Sequence, residues 1–227
     1  MCKEELEPTN NPDSQVVSRK RVVDHGEVYT NEREVNAMLD LVKQETGRIE
    51  SRFLEPACGT GNFLAEVLKR KLTIVESRYG KSQLEFERYA ILAVTSVYGI
   101  DLLEDNVDKC RERLLALFNE RYDSLYKISV KSECKATVQY VLKKNIICGD
   151  ALSLQTVGDN AKPIIFSEWS PVNGNMIKRR DFSFRALLSH AGLRELPLFS
   201  DQGDEVFIPN PVKDYPLIHF LRLVDAE

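Results

Sequence analysis

The residues with the clearest chemical potential lie between Phe53 and Lys71, in the stretch FLEPACGTGNFLAEVLKRK. An apolar pair ends in an acid, Glu55. Gly59 and Gly61 follow, and the helical spacing of Phe63, Leu64, Val67 and Leu68 begins at once. Glycines at such a point let the chain turn tightly and leave room for a ligand on the backbone, facing the amides of a helix N-terminus. Two further apolar runs end the same way: SVYGID in Asp101, followed by Leu102, and NIICGD in Asp150. In an open α/β sheet, ligands bind at the carboxyl ends of the strands. A carboxylate directly before the glycine turn would repel a pyrophosphate, and the glycine spacing departs from the dinucleotide fingerprint. The acid suits a ligand that brings positive charge, hydroxyls or amines.

S-adenosylmethionine carries such groups: a sulfonium, an ammonium and a ribose. Asp101 is placed to accept from two ribose hydroxyls, Leu102 to lie against an adenine face, and Asp150 to accept from an adenine amino group. Taken singly, each acid reads as a loop or cap residue. Three strand-terminal acids in succession, one beside a glycine turn, make a site.

Short strands and amphipathic helices must hold these groups. TNEREVNAMLDLVKQETG predicts a helix with Thr30 or Asn31 as N-cap, acids in its first turn, and Val35, Met38, Leu39 and Val42 on one face, ended by Gly47. SRFLEPACG predicts a buried strand stopped by Pro56. SQLEFERYAILAV, LEDNVDKCRERLLALFNERYDSLYK and ECKATVQYVLKK predict three more helices, and KPIIFSEW a fourth strand. Upstream, VVSRKRVVDHG predicts a short helix closed by Gly26. The alternation implies an α/β fold, a mostly parallel sheet flanked by helices on both faces. Residues 1–22 read as a flexible or helical arm, 23–190 as the ligand-binding domain, and 191–227 as a tail that packs on it.

Composition narrows the classes. The chain has 227 residues and a formal net charge of −4, so no global basic field draws it onto nucleic acid. The apolar runs are too short to span a bilayer, and MCKEELEPTN lacks the apolar region of a signal peptide. Cys2, Cys58, Cys110, Cys134 and Cys148 are odd in number and widely spaced. That argues against a disulfide framework or a zinc site, and for the cytoplasm. His25, His190 and His219 form no metal motif, and no metal is expected. The basic run in NMIKRRDFSFR, with Lys178, Arg179, Arg180 and Arg185 among Phe182 and Phe184, is the best candidate for contact with DNA, against the alternative of a solvated face.

Together these residues resemble the class I S-adenosylmethionine-dependent methyltransferases, and more narrowly the adenine-N6 DNA methyltransferases of bacterial restriction–modification systems. EPACGTGNF, Glu55–Phe63, is similar to that family's DPACGTGxF cofactor loop, with Glu for Asp. HGEVYTNEREVNAML, His25–Leu39, is similar to the GxxYTPxxVVxxM segment that precedes it, with Asn31 in place of proline. The resemblance covers about residues 20–155. It implies a Rossmann-like methyltransferase fold, complete or incomplete, and S-adenosylmethionine as cofactor. It implies cofactor contacts from Tyr29, Thr30, Glu55, Pro56, Cys58, Gly59, Gly61, Phe63, Asp101, Leu102, Asp150 and Ala151.

The family's catalytic Asn/Asp-Pro-Pro-Tyr/Phe motif is not found. Its place holds Ser167, Glu168, Trp169, Ser170 and Pro171, where Glu168 and Trp169 are the candidates for a divergent loop and packing is the plainer reading. PNPVKDYP, Pro209–Pro216, is a weaker partial match. No catalytic residue is assigned. The expectation is a DNA adenine-N6 methyltransferase or its cofactor-binding part, with a partner subunit supplying the catalytic motif and target recognition. The alternative is a non-catalytic cofactor-binding or interaction subunit. Methylation of a small molecule or a protein is a third possibility that the fold permits.

Overall fold

A computed structural model describes residues 30–194 and 209–226. The expected helix over VVSRKRVVDHG, the arm over 1–22 and Tyr29 lie outside the described residues. Helix α1, Glu32–Leu41, opens on Asn31, whose side chain accepts the Arg33 N–H at 2.8 Å. Glu32 and Glu34 in its first turn face the positive end of the helix dipole. Val35 and Leu39 are buried, whereas Met38 and Val42 stand exposed. The helix meets its neighbour along a narrower stripe than the sequence implies. A short α2, Lys43–Thr46, ends at Gly47.

Strand β1, Phe53–Glu55, leads through the glycine turn into α3, Asn62–Tyr79. Then come α4, Gln83–Thr95; β2, Val97–Asp101; α5, Glu104–Tyr126; α6, Ser132–Asn145; and β3, Ile146–Asp150. The spatial order is β1-β2-β3, all parallel, with a two-residue antiparallel β4, Gln155–Thr156, on the far side of β3. Because spatial order follows chain order, both crossovers run on the same face, as right-handed connections require. The helices fill that face with a core that includes Leu64, Leu68, Phe86, Ile91, Leu114, Phe118 and Val141.

Lys71 lies within this core, fully buried, at a position of α3 where an apolar residue would fit the pattern. Its ammonium donates to the Ile49 carbonyl at 2.9 Å, to the Ser51 carbonyl, and to Ser96 Oγ at 2.7 Å. It ties the chain entering β1 to the chain entering β2. Burial pushes its pKa down to about 7. A second buried charge, Glu87 of α4, accepts from Gln83 at 2.8 Å, from the Tyr122 hydroxyl and from Lys131 at 2.7 Å.

The opposite face departs from expectation. The fourth strand exists as β5, Ile165–Val172, but it does not extend the parallel sheet. It pairs antiparallel with β6, Met176–Ser183, in a second sheet. Asn173 and Gly174, at φ 38° and 70°, make the hairpin turn, the backbone region that Asn-Gly favours. Ile164 and Phe166, with Phe184 and Leu187 of α7 (Phe184–Arg194), cover Tyr98 and Ile100. The second face is therefore closed by a hairpin and one helix. Chain after residue 208 returns to β6 through β7, Lys213–Asp214, and β8, Ile218–His219. A 3-10 turn, Phe220–Asp225, then packs Phe220 and Leu223 into the main core beside α6.

Candidate functional site

The parallel register decides which way the three acids point. Glu55 is level with Gly99, two residues before Asp101, and Asp101 is level with Cys148, two residues before Asp150. Registered residues share a face and side chains alternate along a strand. Glu55, Asp101 and Asp150 therefore lie on one face, in a diagonal line across three strand tips. At ~3.3 Å per residue and ~4.8 Å between strands, neighbouring acids are ~8 Å apart and the line is ~16 Å long.

Between the first two acids sits the glycine turn. Gly59 and Gly61 have φ of 51° and 85°, a region in which a side chain would be strained. A Cβ at Gly61 would stand 2.6 Å from Cys110 Sγ, so the turn rests directly on α5. The Cys58 N–H donates to the Ile100 carbonyl at 2.9 Å, which lashes the turn to β2.

Asp101 holds the turn from below. Its Oδ2 accepts the Gly59 N–H at 2.8 Å, and its Oδ1 accepts the Leu103 N–H at 2.9 Å and the Asn106 amide at 3.2 Å. A carboxylate offers about four acceptor positions. With three of them used, Asp101 has room for a single ligand hydroxyl, not the two expected. Its main work in this structure is to fix the turn and the start of α5.

Glu55 is half-buried and, among the described residues, accepts only a long bond, 3.4 Å, from the Ala57 N–H. Burial raises its carboxyl above the usual carboxylate range, and that bond lowers it less. Asp150 differs: the Leu152 N–H first, then Ser153, holds its carboxyl below the ordinary value, and its Oδ1 accepts the Leu152 N–H at 2.9 Å.

The other expected residues divide. Thr30 is drawn to the turn, its carbonyl accepting from the Asn62 amide at 3.4 Å, and Arg113 of α5 donates to the oxygen of that amide. Leu102 is exposed next to Asp101, Pro56 is exposed, and Cys58 is buried beneath the turn. Phe63 packs on the main core, whereas Ala151 packs on the cluster of the opposite face, away from the acids. Sequence reasoning passed over Asn106, Cys110 and Asn62, which set the turn. Only the position of Cys110 on the buried stripe of α5 marked any of them.

The candidates for a divergent catalytic loop are built into packing. Trp169 is 5 % exposed, donates from Nε1 to Asn145 Oδ1 at 3.0 Å, and meets the Tyr140 ring edge-on. It has no free face for a base. Glu168 pairs with Arg52 and with Arg180, each at 2.7 Å. Tyr215 is buried with its hydroxyl on Asp181 at 3.0 Å.

Nor does the basic run form a free cationic face. Arg179 is 3 % exposed, held by Asp181 through two bonds at 2.9 and 2.8 Å, and stacked 4.1 Å from the Tyr215 ring centroid. Lys178 pairs with Asp214 at 2.5 Å, and Arg180 with Glu168. Arg185 alone of the four is exposed.

Among the described residues, no cluster of His, Cys, Asp and Glu is arranged to hold a metal ion, and no helix is long and apolar enough to cross a membrane. No family model, no curated protein and no solved structure matches the chain.

Proposed function

We propose that this chain binds S-adenosylmethionine along the three strand tips, as the cofactor-binding part of a DNA adenine-N6 methyltransferase with a Rossmann-like fold. The observation that carries the reading is the shared orientation of Glu55, Asp101 and Asp150 around a glycine turn in left-handed backbone. The residues fit the cofactor. Glu55 is a half-buried carboxylate without a cationic partner among the described residues, and an ammonium or sulfonium would favour its ionised form. Asp101 keeps one acceptor position for a ribose hydroxyl. Asp150, bonded locally by Leu152 and Ser153, is partly exposed and offers its carboxylate to an amine, and Leu102 offers an exposed apolar surface next to Asp101. The ~16 Å line suits an extended nucleoside with an amino-acid tail. The cofactor supplies an electrophilic methyl group when bound, and the chain's own acids orient it.

A second reading is favoured by one specific observation. The segment after β5 that should present a catalytic loop is a hairpin with Trp169 in the core. The chain then holds cofactor without transferring methyl groups, and a partner subunit supplies the catalytic motif and target recognition. Calorimetric titration with S-adenosylmethionine, followed by transfer of labelled methyl groups to adenine-containing DNA, separates these. Binding with transfer supports the enzyme, and binding without transfer supports the subunit. Absence of binding refutes both. Asp101→Ala should weaken binding by about 1–3 kcal/mol, the loss of a charged acceptor; unchanged affinity removes Asp101 from the site.

A further inference from the structure

The far end of the α3–α4 pair carries a patch to which the cofactor reading gives no task. Tyr79, the last residue of α3, and Tyr89 of α4 stack with ring centroids 3.9 Å apart and planes 8° from parallel. Both residues are half-exposed, so the pair keeps flat aromatic surface toward solvent. The Arg88 guanidinium stands 5.2 Å from the Tyr89 centroid and adds a cation to the same stack.

Positive charge gathers at the same corner. Arg78 precedes Tyr79, and Lys81 lies in the turn to α4. The Tyr126 hydroxyl donates to the Gly80 carbonyl at 2.9 Å, which ties the end of α5 to that turn and brings Lys127 to it. Arg78, Lys81 and Lys127 are exposed, and among the described residues none of them forms an ion pair. The neighbouring acids are engaged elsewhere: Glu76 pairs with Arg121, and Glu85 reaches Arg88 at 4.0 Å. This is the reverse of β6, whose cations are seated on carboxylates.

We propose that this corner binds a single-stranded nucleic acid, with one base lying on the tyrosine stack and the flanking phosphates meeting Arg78, Lys81 and Lys127. Stacking on an aromatic ring accepts any base, but it needs a base whose face is free, which a duplex does not offer. The phosphates supply the negative charge that the three cations lack, so attraction is local although the chain as a whole carries −4. The 18 residues of α3 set the corner ~27 Å from the glycine turn. The patch therefore anchors a strand at a distance from the three acids and takes no part in chemistry there. It goes beyond the cofactor reading, and binding at it needs no cofactor.

The test follows the fluorescence anisotropy of a labelled oligothymidylate titrated with the full chain, without S-adenosylmethionine, over a range of salt concentrations. Binding is expected at low salt and should weaken as salt rises. Arg78→Ala combined with Lys81→Ala should make the slope of log affinity against log salt shallower by about 0.7 for each cation removed. Tyr79→Leu should weaken binding on the order of tenfold, whereas Tyr79→Phe, which keeps the ring, should bind as the unaltered chain does. Lys178→Ala, at a residue whose ammonium already rests on Asp214, should change nothing. A mixed-sequence duplex should compete poorly. Absence of binding at low salt overturns the proposal. So does an unchanged slope without Arg78 and Lys81, an equal loss in Tyr79→Phe and Tyr79→Leu, or a duplex that competes as well as the single strand. If the oligonucleotide binds as expected while S-adenosylmethionine does not, the cofactor reading falls and the patch stands.

Discussion

Lys71→Met tests the buried ammonium with a side chain of similar length and no charge. The substitution removes donors to the Ile49 carbonyl, the Ser51 carbonyl and Ser96 Oγ. The single Ser96 hydroxyl proton lies closer to the Ala93 carbonyl, 2.7 Å, than to Ile49, 3.2 Å, so the Ile49 and Ser51 carbonyls are both left wanting. An unsatisfied buried acceptor costs about 1–3 kcal/mol. The pH dependence is the sharper readout. Burial lowers the Lys71 pKa to about 7 from an ordinary 10.5. Between those values the unfolded chain binds more protons than the folded one, so stability rises with pH. The rise is at most about 1.4 kcal/mol per pH unit, with a ceiling of about 5 kcal/mol. The three acceptors favour the ammonium and keep the real rise below that ceiling. Below pH 7 both states hold the proton and the contribution is flat. Urea denaturation of both proteins from pH 6 to pH 10 cancels the titration of other groups in the difference. The wild-type chain should gain on Lys71→Met as pH rises above 7. Parallel curves would refute the argument that burial controls this amine.

Glu55→Gln should remove a pH dependence of cofactor binding. In the wild-type chain a cationic ligand must ionise a carboxyl whose pKa is raised, so affinity should tighten as pH rises through that pKa, with proton release seen by calorimetry in buffers of different ionisation enthalpy. Gly61→Ala should destabilise by about 1–3 kcal/mol through left-handed backbone and the clash with Cys110. Combining it with Cys110→Ala should recover part of that loss in thermal unfolding. Trp169→Ala should cost about 3–5 kcal/mol of stability and leave cofactor affinity nearly unchanged; a large loss of affinity would bring β5 into the site.

The elements from Glu32 to Asp150 were legible because periodicity, caps and strand-ending acids agreed with one another. The hairpin was not read, although Asn173-Gly174 between two apolar runs is a strong local signal. Expectation of another parallel strand overrode it. Lys71 carried a signal too, standing between Leu68 and Val75 on the buried stripe of α3. Its role depended on carbonyls of Ile49 and Ser51, which no pattern in α3 reveals. The pairing of the basic run was hidden for a related reason. Along a strand, alternate residues face opposite ways, and the acids that neutralise β6 come from three places: Asp181 on β6 itself, Glu168 on β5 and Asp214 on β7. Of the candidate site, the shared face of the acids and the glycine turn were legible. What holds them was not, since the demands that Gly59, Leu103 and Asn106 make on Asp101 appear only once the chain is folded.

That neutralisation has a consequence for any meeting with a polyanion. A phosphate reaching Lys178, Arg179 or Arg180 would have to evict a carboxylate already seated there. Such an exchange swaps one partner for another and frees few condensed ions from the polymer, so it would lend little of the steep ionic-strength dependence that marks cationic surfaces.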